Sequence, residues 1–127
     1  MPITYEVRDG GAFVYIRVQG QVSEADLLGY QESLLSDPRV RPGFDSLFDA
    51  TMALGAGLSK ATIERMIDVD RAHADMLGRG KGAIVVRSDI ELAEYFETLH
   101  SGPRSVMLFH NVDVALLWLG REGPSEC

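Results

Sequence analysis

The sequence predicts an α/β fold: a five-stranded, mixed but mostly parallel sheet with four helices, in the order β-β-α-β-α-β-α-β-α. Three observations carry this expectation. Residues 4–8 and 13–20 read as strands, and Asp9-Gly10-Gly11 between them supplies the positive φ of a tight hairpin. Beyond the hairpin, apolar strand-like runs alternate with capped amphipathic segments, which is the pattern of right-handed crossovers between parallel strands. Finally, Ala83-Ile84-Val85-Val86 is apolar without alternation, as a strand covered on both faces should be.

The elements follow in order. In the second strand Val14, Ile16 and Val18 alternate with Phe13, Tyr15, Arg17 and Gln19, so the aliphatic set faces the core. Ser23 caps a first helix whose opening turn carries Glu24 and Asp26. Leu27, Leu28, Gln31, Leu34 and Leu35 share one face, and Asp37-Pro38 stops it. Pro42-Gly43 turns the chain into a third strand, Ser46-Leu47-Phe48, ending on Asp49 and followed by a loop containing Gly55 and Gly57. A second helix runs over residues 59–77 with Ile63, Met66, Ile67, Ala74 and Leu77 inward, ending at Gly78 and Gly80. Residues 81–87 form the fourth strand, and Ser88-Asp89-Ile90-Glu91 has the form of a capping box. The helix it opens places Leu92, Ala93, Phe96 and Leu99 inward and stops near Gly102-Pro103. Val106-Met107-Leu108-Phe109 is the fifth strand, and Asn111 caps a last helix with Val112, Ala115, Leu116 and Leu119 inward. Residues 1–120 make one domain, and 121–127 a flexible tail.

Composition narrows function mainly by exclusion. A net charge of −7 without a basic face argues against nucleic acid and anionic membranes as partners. No apolar run is long enough to insert in a bilayer, and no signal peptide opens the chain. The single cysteine, Cys127, makes no internal disulfide, which fits a reducing cytoplasmic location.

The element order, the segment Pro42-Gly43-Phe44-Asp45-Ser46-Leu47-Phe48-Asp49 and the ending Val112-Asp113-Val114-Ala115-Leu116-Leu117-Trp118-Leu119 together resemble the SpoIIAA-like, or STAS/SEC14-like, small bacterial proteins. The resemblance covers roughly residues 3–120 and its motifs are structural. Anti-sigma-factor antagonists of the wider STAS group carry Asp-Ser-Ser-Gly at the start of the second helix, with one serine phosphorylated. That motif would lie over Ser59-Lys60-Ala61-Thr62, and the phosphorylated position would be Ala61, so the partner switch does not carry over.

Four residues are candidates for binding or interaction. Asp49 stands at the carboxyl end of an expected parallel strand, where α/β proteins place ligands; its simpler role is to cap a loop. Ser59 could receive a phosphoryl group or seat an anion, but an N-cap accounts for it. His110 ends the fifth strand on the same edge. Trp118, with Leu117 and Val114, widens the apolar arc of the last helix into a dimer patch or pocket lining, unless it packs in the core. Tyr30, Met76 and Tyr95 flank helices in the same way. Asp45 and Asp49 share a face but stand roughly 13 Å apart, too far to share a proton. His73, His100 and His110 are scattered, so no metal site is implied; His100 complements a helix C-terminus. Glu64, Asp68, Asp70 and Asp75 read as a solvated face.

No catalytic constellation emerges and no cofactor is implied. The expectation is a non-catalytic binding or regulatory module, taking a protein partner or small molecule and perhaps forming a homodimer. An apolar or lipid-like ligand carrier is the alternative that the family resemblance implies, and it requires a cavity beside the second and third helices. A third reading is a tautomerase using Pro2 as its base after loss of Met1, although such enzymes do not open on a hairpin.

Overall fold

The computed structural model describes residues 2–54, 58–88, 90–100 and 102–121. Five strands form one sheet in the order β1-β2-β3-β4-β5: β1 (Ile3–Arg8), β2 (Phe13–Gln21), β3 (Asp45–Leu54), β4 (Lys81–Val86) and β5 (Ser105–Phe109). The β1–β2 pair is antiparallel and the other three pairs are parallel. The hairpin turn is a short 3-10 segment in which Asp9, Gly10 and Gly11 all have positive φ (54°, 64° and 98°). A side chain at Gly11 would collide with the Arg39 carbonyl, so glycine is required there on two counts.

Because β2 to β5 are laid down in sequence, each right-handed crossover steps in the same direction and its helix falls on the same face. Helices α1 (Glu24–Leu35), α2 (Lys60–Ala72) and α4 (Ile90–Leu99) cover that face. Their Leu27, Leu34, Leu35, Ile63 and Met66 pack with Val14, Ile16 and Val18 of β2. The opposite face carries only α5 (Val112–Trp118), where Ala115, Leu116 and Leu119 meet Phe13, Tyr15, Leu47, Ala83 and Val85 in a second core. Both faces of the central strands are thereby buried, which is why β4 reads as an unbroken apolar run.

The caps act as the sequence predicts. Ser23 Oγ accepts from the Asp26 amide at 3.1 Å, and Asp26 Oδ2 accepts from the Ser23 amide at 3.0 Å, completing a capping box. Asn111 Oδ1 accepts from the Val114 amide at 3.1 Å.

Two expectations require correction. The helix expected over 59–77 is broken at His73, where ψ reaches 33° and the ring Nδ1 lies 2.9 Å from the Val69 carbonyl; a short α3 (Ala74–Leu77) follows. Ala74, expected inward, is exposed as a consequence. β3 does not end on Asp49 but continues to Leu54. Beyond Arg17–Asp49 its register with β2 slips by one residue, so that Gln19 faces Met52. That bulge turns both Ala50 and Ala53 toward the helical layer.

Arg121, placed with the tail by the sequence, is anchored: its guanidinium bonds the Asp9 and Asp45 carboxylates and lies over the Phe13 ring. Residues 122–127 with Cys127, the Gly55–Gly57 loop, Met1, and the Asp89 of the expected capping box lie outside the described residues.

Gly80 closes the end of the sheet, where a Cβ would enter the Phe44 and Gly43 carbonyls and the Arg104 guanidinium. Gly80→Ala is therefore expected to destabilise the fold by about 3 kcal/mol, the upper range for overpacking, measured as a shift in the urea midpoint.

Candidate functional site

On the helix-covered face, β3 and β4 present small residues: Ser46, Ala50 and Ala53 from one, Gly82 from the other. Opposite stand Leu34, Ile63, Met66, Leu92, Ala93 and Phe96 from α1, α2 and α4. These side chains do not fill the gap. A partly open cavity of about 170 Å³ remains between the layers, with mainly apolar walls. Tyr30 and Phe48 line it with ring centroids 5.7 Å apart. A dry apolar cavity of ~150 Å³ is large enough to take benzene.

One end of the cavity is polar, where the strands begin and the helices finish. Gln31 Nε2 donates to the Met66 carbonyl at 3.0 Å and to Asp70 Oδ1 at 2.9 Å. His100 Nε2 lies 3.3 Å from the other carboxylate oxygen of Asp70, and its ring stacks on Phe96. Arg104 reaches across the strand ends, donating to the Phe44 and Leu77 carbonyls at 2.7 and 2.9 Å and to Ser46 Oγ at 3.0 Å. Its guanidinium lies 4.7 Å from the Phe44 ring centroid. Gly80 and Gly82 leave the space it occupies. Burial lowers the Arg104 pKa, opposed by the charges of Asp70 and Asp45. Burial also pushes the Tyr30 phenol well above its ordinary value, with Asp70 adding to the effect and Arg104 opposing it. Asp70, Leu77, His100 and Arg104 also line a second hollow of about 180 Å³ on the outer side, beside Gly102 and Pro103.

The four sequence-named candidates do not come together there. Asp49 faces the α5 side, where its carboxylate accepts from the Thr51 amide and hydroxyl (3.1 and 2.7 Å) and from the Tyr15 hydroxyl at 3.3 Å. Ser59 caps α2, accepting from the Thr62 amide at 3.4 Å. His110 is exposed after β5, its Nδ1 3.4 Å from the Val86 carbonyl. Trp118 is half-buried, 5.5 Å from the Phe109 ring, with Lys81 Nζ 5.4 Å from its own. None of the four lines either cavity, and neither does Pro2, whose carbonyl accepts from the Gln19 amide in the hairpin.

The residues that do gather were read differently from sequence. Asp70, placed on a solvated face, is part-buried between Gln31 and His100. His100, read as a helix-end charge, has a side chain only 7% exposed. Arg104 drew no attention at all. The signal available was Gln31 among leucines on the buried stripe of the first helix, a polar group that needs partners. Among the described residues, no three His, Cys, Asp or Glu side chains are placed to hold a metal.

No family model matches the chain, and no curated protein matches it. Among solved structures it is similar to an uncharacterized protein of the DUF3478 family with a SpoIIAA-like fold, from Shewanella loihica PV-4. The two are 19% identical with a TM-score of 0.57, over 92% of this chain and 93% of the other. The fold is SpoIIAA-like. Within this SpoIIAA-like frame, Ala61 is an exposed residue of the first turn of α2, with Ser59 as its cap.

The Tyr30 environment yields a pH prediction. A phenol whose pKa is raised in the fold leaves stability intact below about pH 10, the unfolded value, and loses it progressively above. Tyr30→Phe should flatten the alkaline fall of Tm, read by thermal unfolding at stepped pH. A smaller fall should remain, because Tyr5, Tyr15 and Tyr95 are also raised.

Proposed function

We propose that the protein is a non-catalytic binding module whose interlayer cavity takes a small, mostly apolar ligand. The observation that carries this reading is the cavity itself: about 170 Å³, walled by Leu34, Phe48, Ile63, Met66, Leu92 and Phe96. A packed protein interior rarely leaves such a space, and each lost contact costs dispersion energy. The cavity lies beside α2 and α4, as a ligand-carrier reading requires, and its polar groups are confined to one end. Ligand sites of this kind combine apolar walls with a few polar groups that fix orientation. The proposal assigns Asp49, Ser59, His110 and Trp118 no ligand contact, and gives Pro2 no catalytic part.

Toluene is a suitable first probe. Titration of the 15N-labelled protein should shift amides around Ile63 and Phe96. Ala50→Ile, which adds apolar volume to a strand position facing the cavity, should weaken that binding about tenfold or more with Tm unchanged or raised. Saturating toluene that leaves the spectrum of the unmodified protein unchanged would sink the reading.

A second reading rests on a separate surface. Leu117 is 76% exposed, Val114 50% and Met107 42%, on α5 and the neighbouring edge strand. We propose this patch as the surface of a homodimer. Light scattering after size exclusion should give twice the chain mass, and Leu117→Glu should return it to one chain. A monomer at high micromolar concentration would count against it.

A further inference from the structure

We infer that the cavity ligand carries a hydroxyl group, donated to Gln31 and His100; this rests on the reading of the cavity as a ligand site. Both hydrogens of the Gln31 amide nitrogen have acceptors, the Met66 carbonyl and Asp70 Oδ1. Neither of those can donate, so the amide orientation is fixed and Oε1 remains an acceptor. Gln31 is 4% exposed, and its Oε1 is buried without a hydrogen-bond partner among the described residues. His100 presents Nε2 to the Asp70 carboxylate, which only accepts, so Nε2 carries the proton. In the neutral ring Nδ1 is then a bare acceptor, and it too is buried without a partner among the described residues. Both residues line the same cavity. Buried acceptors left without donors cost stability, and a ligand that donates recovers it.

The character of these two groups selects the ligand's polar end. A carboxylate brings only acceptors and would meet Gln31 Oε1 and the Asp70 charge. Arg104 is the cation that could hold one, but its guanidinium is directed at the Phe44, Leu77 and Lys81 carbonyls and at Ser46 Oγ. An ammonium group donates, yet would sit near that same buried cation. A hydrocarbon leaves both acceptors bare. A hydroxyl donates without bringing charge. The body of the ligand follows from the volume: one ring, or a chain of about six to eight carbons, given that ~150 Å³ accommodates benzene. The class is a small alcohol with an apolar body, its hydroxyl toward the strand N-termini and its body among Phe48, Leu92 and Phe96.

Benzyl alcohol and anisole test this directly, being isomers of equal size of which only the first donates a hydrogen bond. With the full chain at about pH 8, where an ordinary imidazole is neutral, NMR titration should give benzyl alcohol about tenfold tighter binding than anisole, with benzoate weakest. Gln31→Leu and His100→Phe should each shrink that preference while leaving toluene binding in place. If anisole or toluene binds and benzyl alcohol shows no preference over anisole, ordered water satisfies the acceptors and the inference is overturned, with the apolar-ligand reading intact. Preference for benzoate overturns it in the same way. If none of the four compounds binds, both the inference and the reading beneath it are lost.

Discussion

Four parallel strands laid down in chain order force their connecting helices onto one side of the sheet. Every crossover turns with the same hand, and with no reversal of strand order there is no step at which a helix changes face. α1, α2 and α4 therefore stack as one layer, and only the chain end, as α5, is left to cover the other side. The same constraint removes the crevice that doubly wound proteins use. That crevice opens at the carboxyl edge where two neighbouring strands send their connections to opposite faces. This sheet has no such point between β2 and β5. The edge carrying Asp49, Ser59 and His110 is thus occupied by caps and loop-tying hydrogen bonds, and the space for a ligand lies between the layers instead.

That interlayer space exists because three local choices coincide. Ser46 and Gly82 are partners across β3 and β4, so one full step of the ladder contributes almost no side-chain volume toward the helices. The bulge after Asp49 then brings Ala50 and Ala53 to the same face, where a regular strand would have sent one of them to the other side. Ala93 is the small residue on the facing helix. Large side chains close by, Phe48, Met66 and Phe96, border the gap without crossing it. The sheet is held rigid around this void by Arg104, which ties the starts of β3 and β4 to the end of α3 through carbonyls that would otherwise be buried without donors.

This division explains what could be read in advance. Local chemistry was legible: the Asp9-Gly10-Gly11 turn, the caps at Ser23, Ser59 and Asn111, and the apolar faces of β2 and α1 each follow from residues within a few positions of one another. The extension of β3 to Leu54 was not, because Thr51-Met52-Ala53-Leu54 becomes a strand through pairing with β2 across a bulge, and pairing leaves no mark in the strand itself. The polar cluster was invisible for the same reason. Gln31, Asp70, His100 and Arg104 come from α1, α2, the end of α4 and the residue before β5, and each alone has an ordinary surface explanation. Only the spatial meeting of helix C-termini and strand N-termini turns them into a site.

Buried polar groups at the junction of two apolar layers have to be justified by structure or by function. Arg104 is justified by structure, since its donors meet the carbonyls of three chain segments and a serine hydroxyl. Asp70 balances that charge at a distance and receives Gln31 and His100. Gln31 and His100 are the remainder: each uses one end to hold Asp70 and turns the other, an acceptor, to a dry wall. An apolar pair of similar volume would pack this position without that deficit. Local sequence choices that oppose stability in an otherwise consistent fold concentrate where something is bound, and here the opposition falls on two acceptors at the closed end of a cavity sized for one ring. Shape and hydrogen-bonding character thus converge on one description of the occupant, a body without charge and a head that donates.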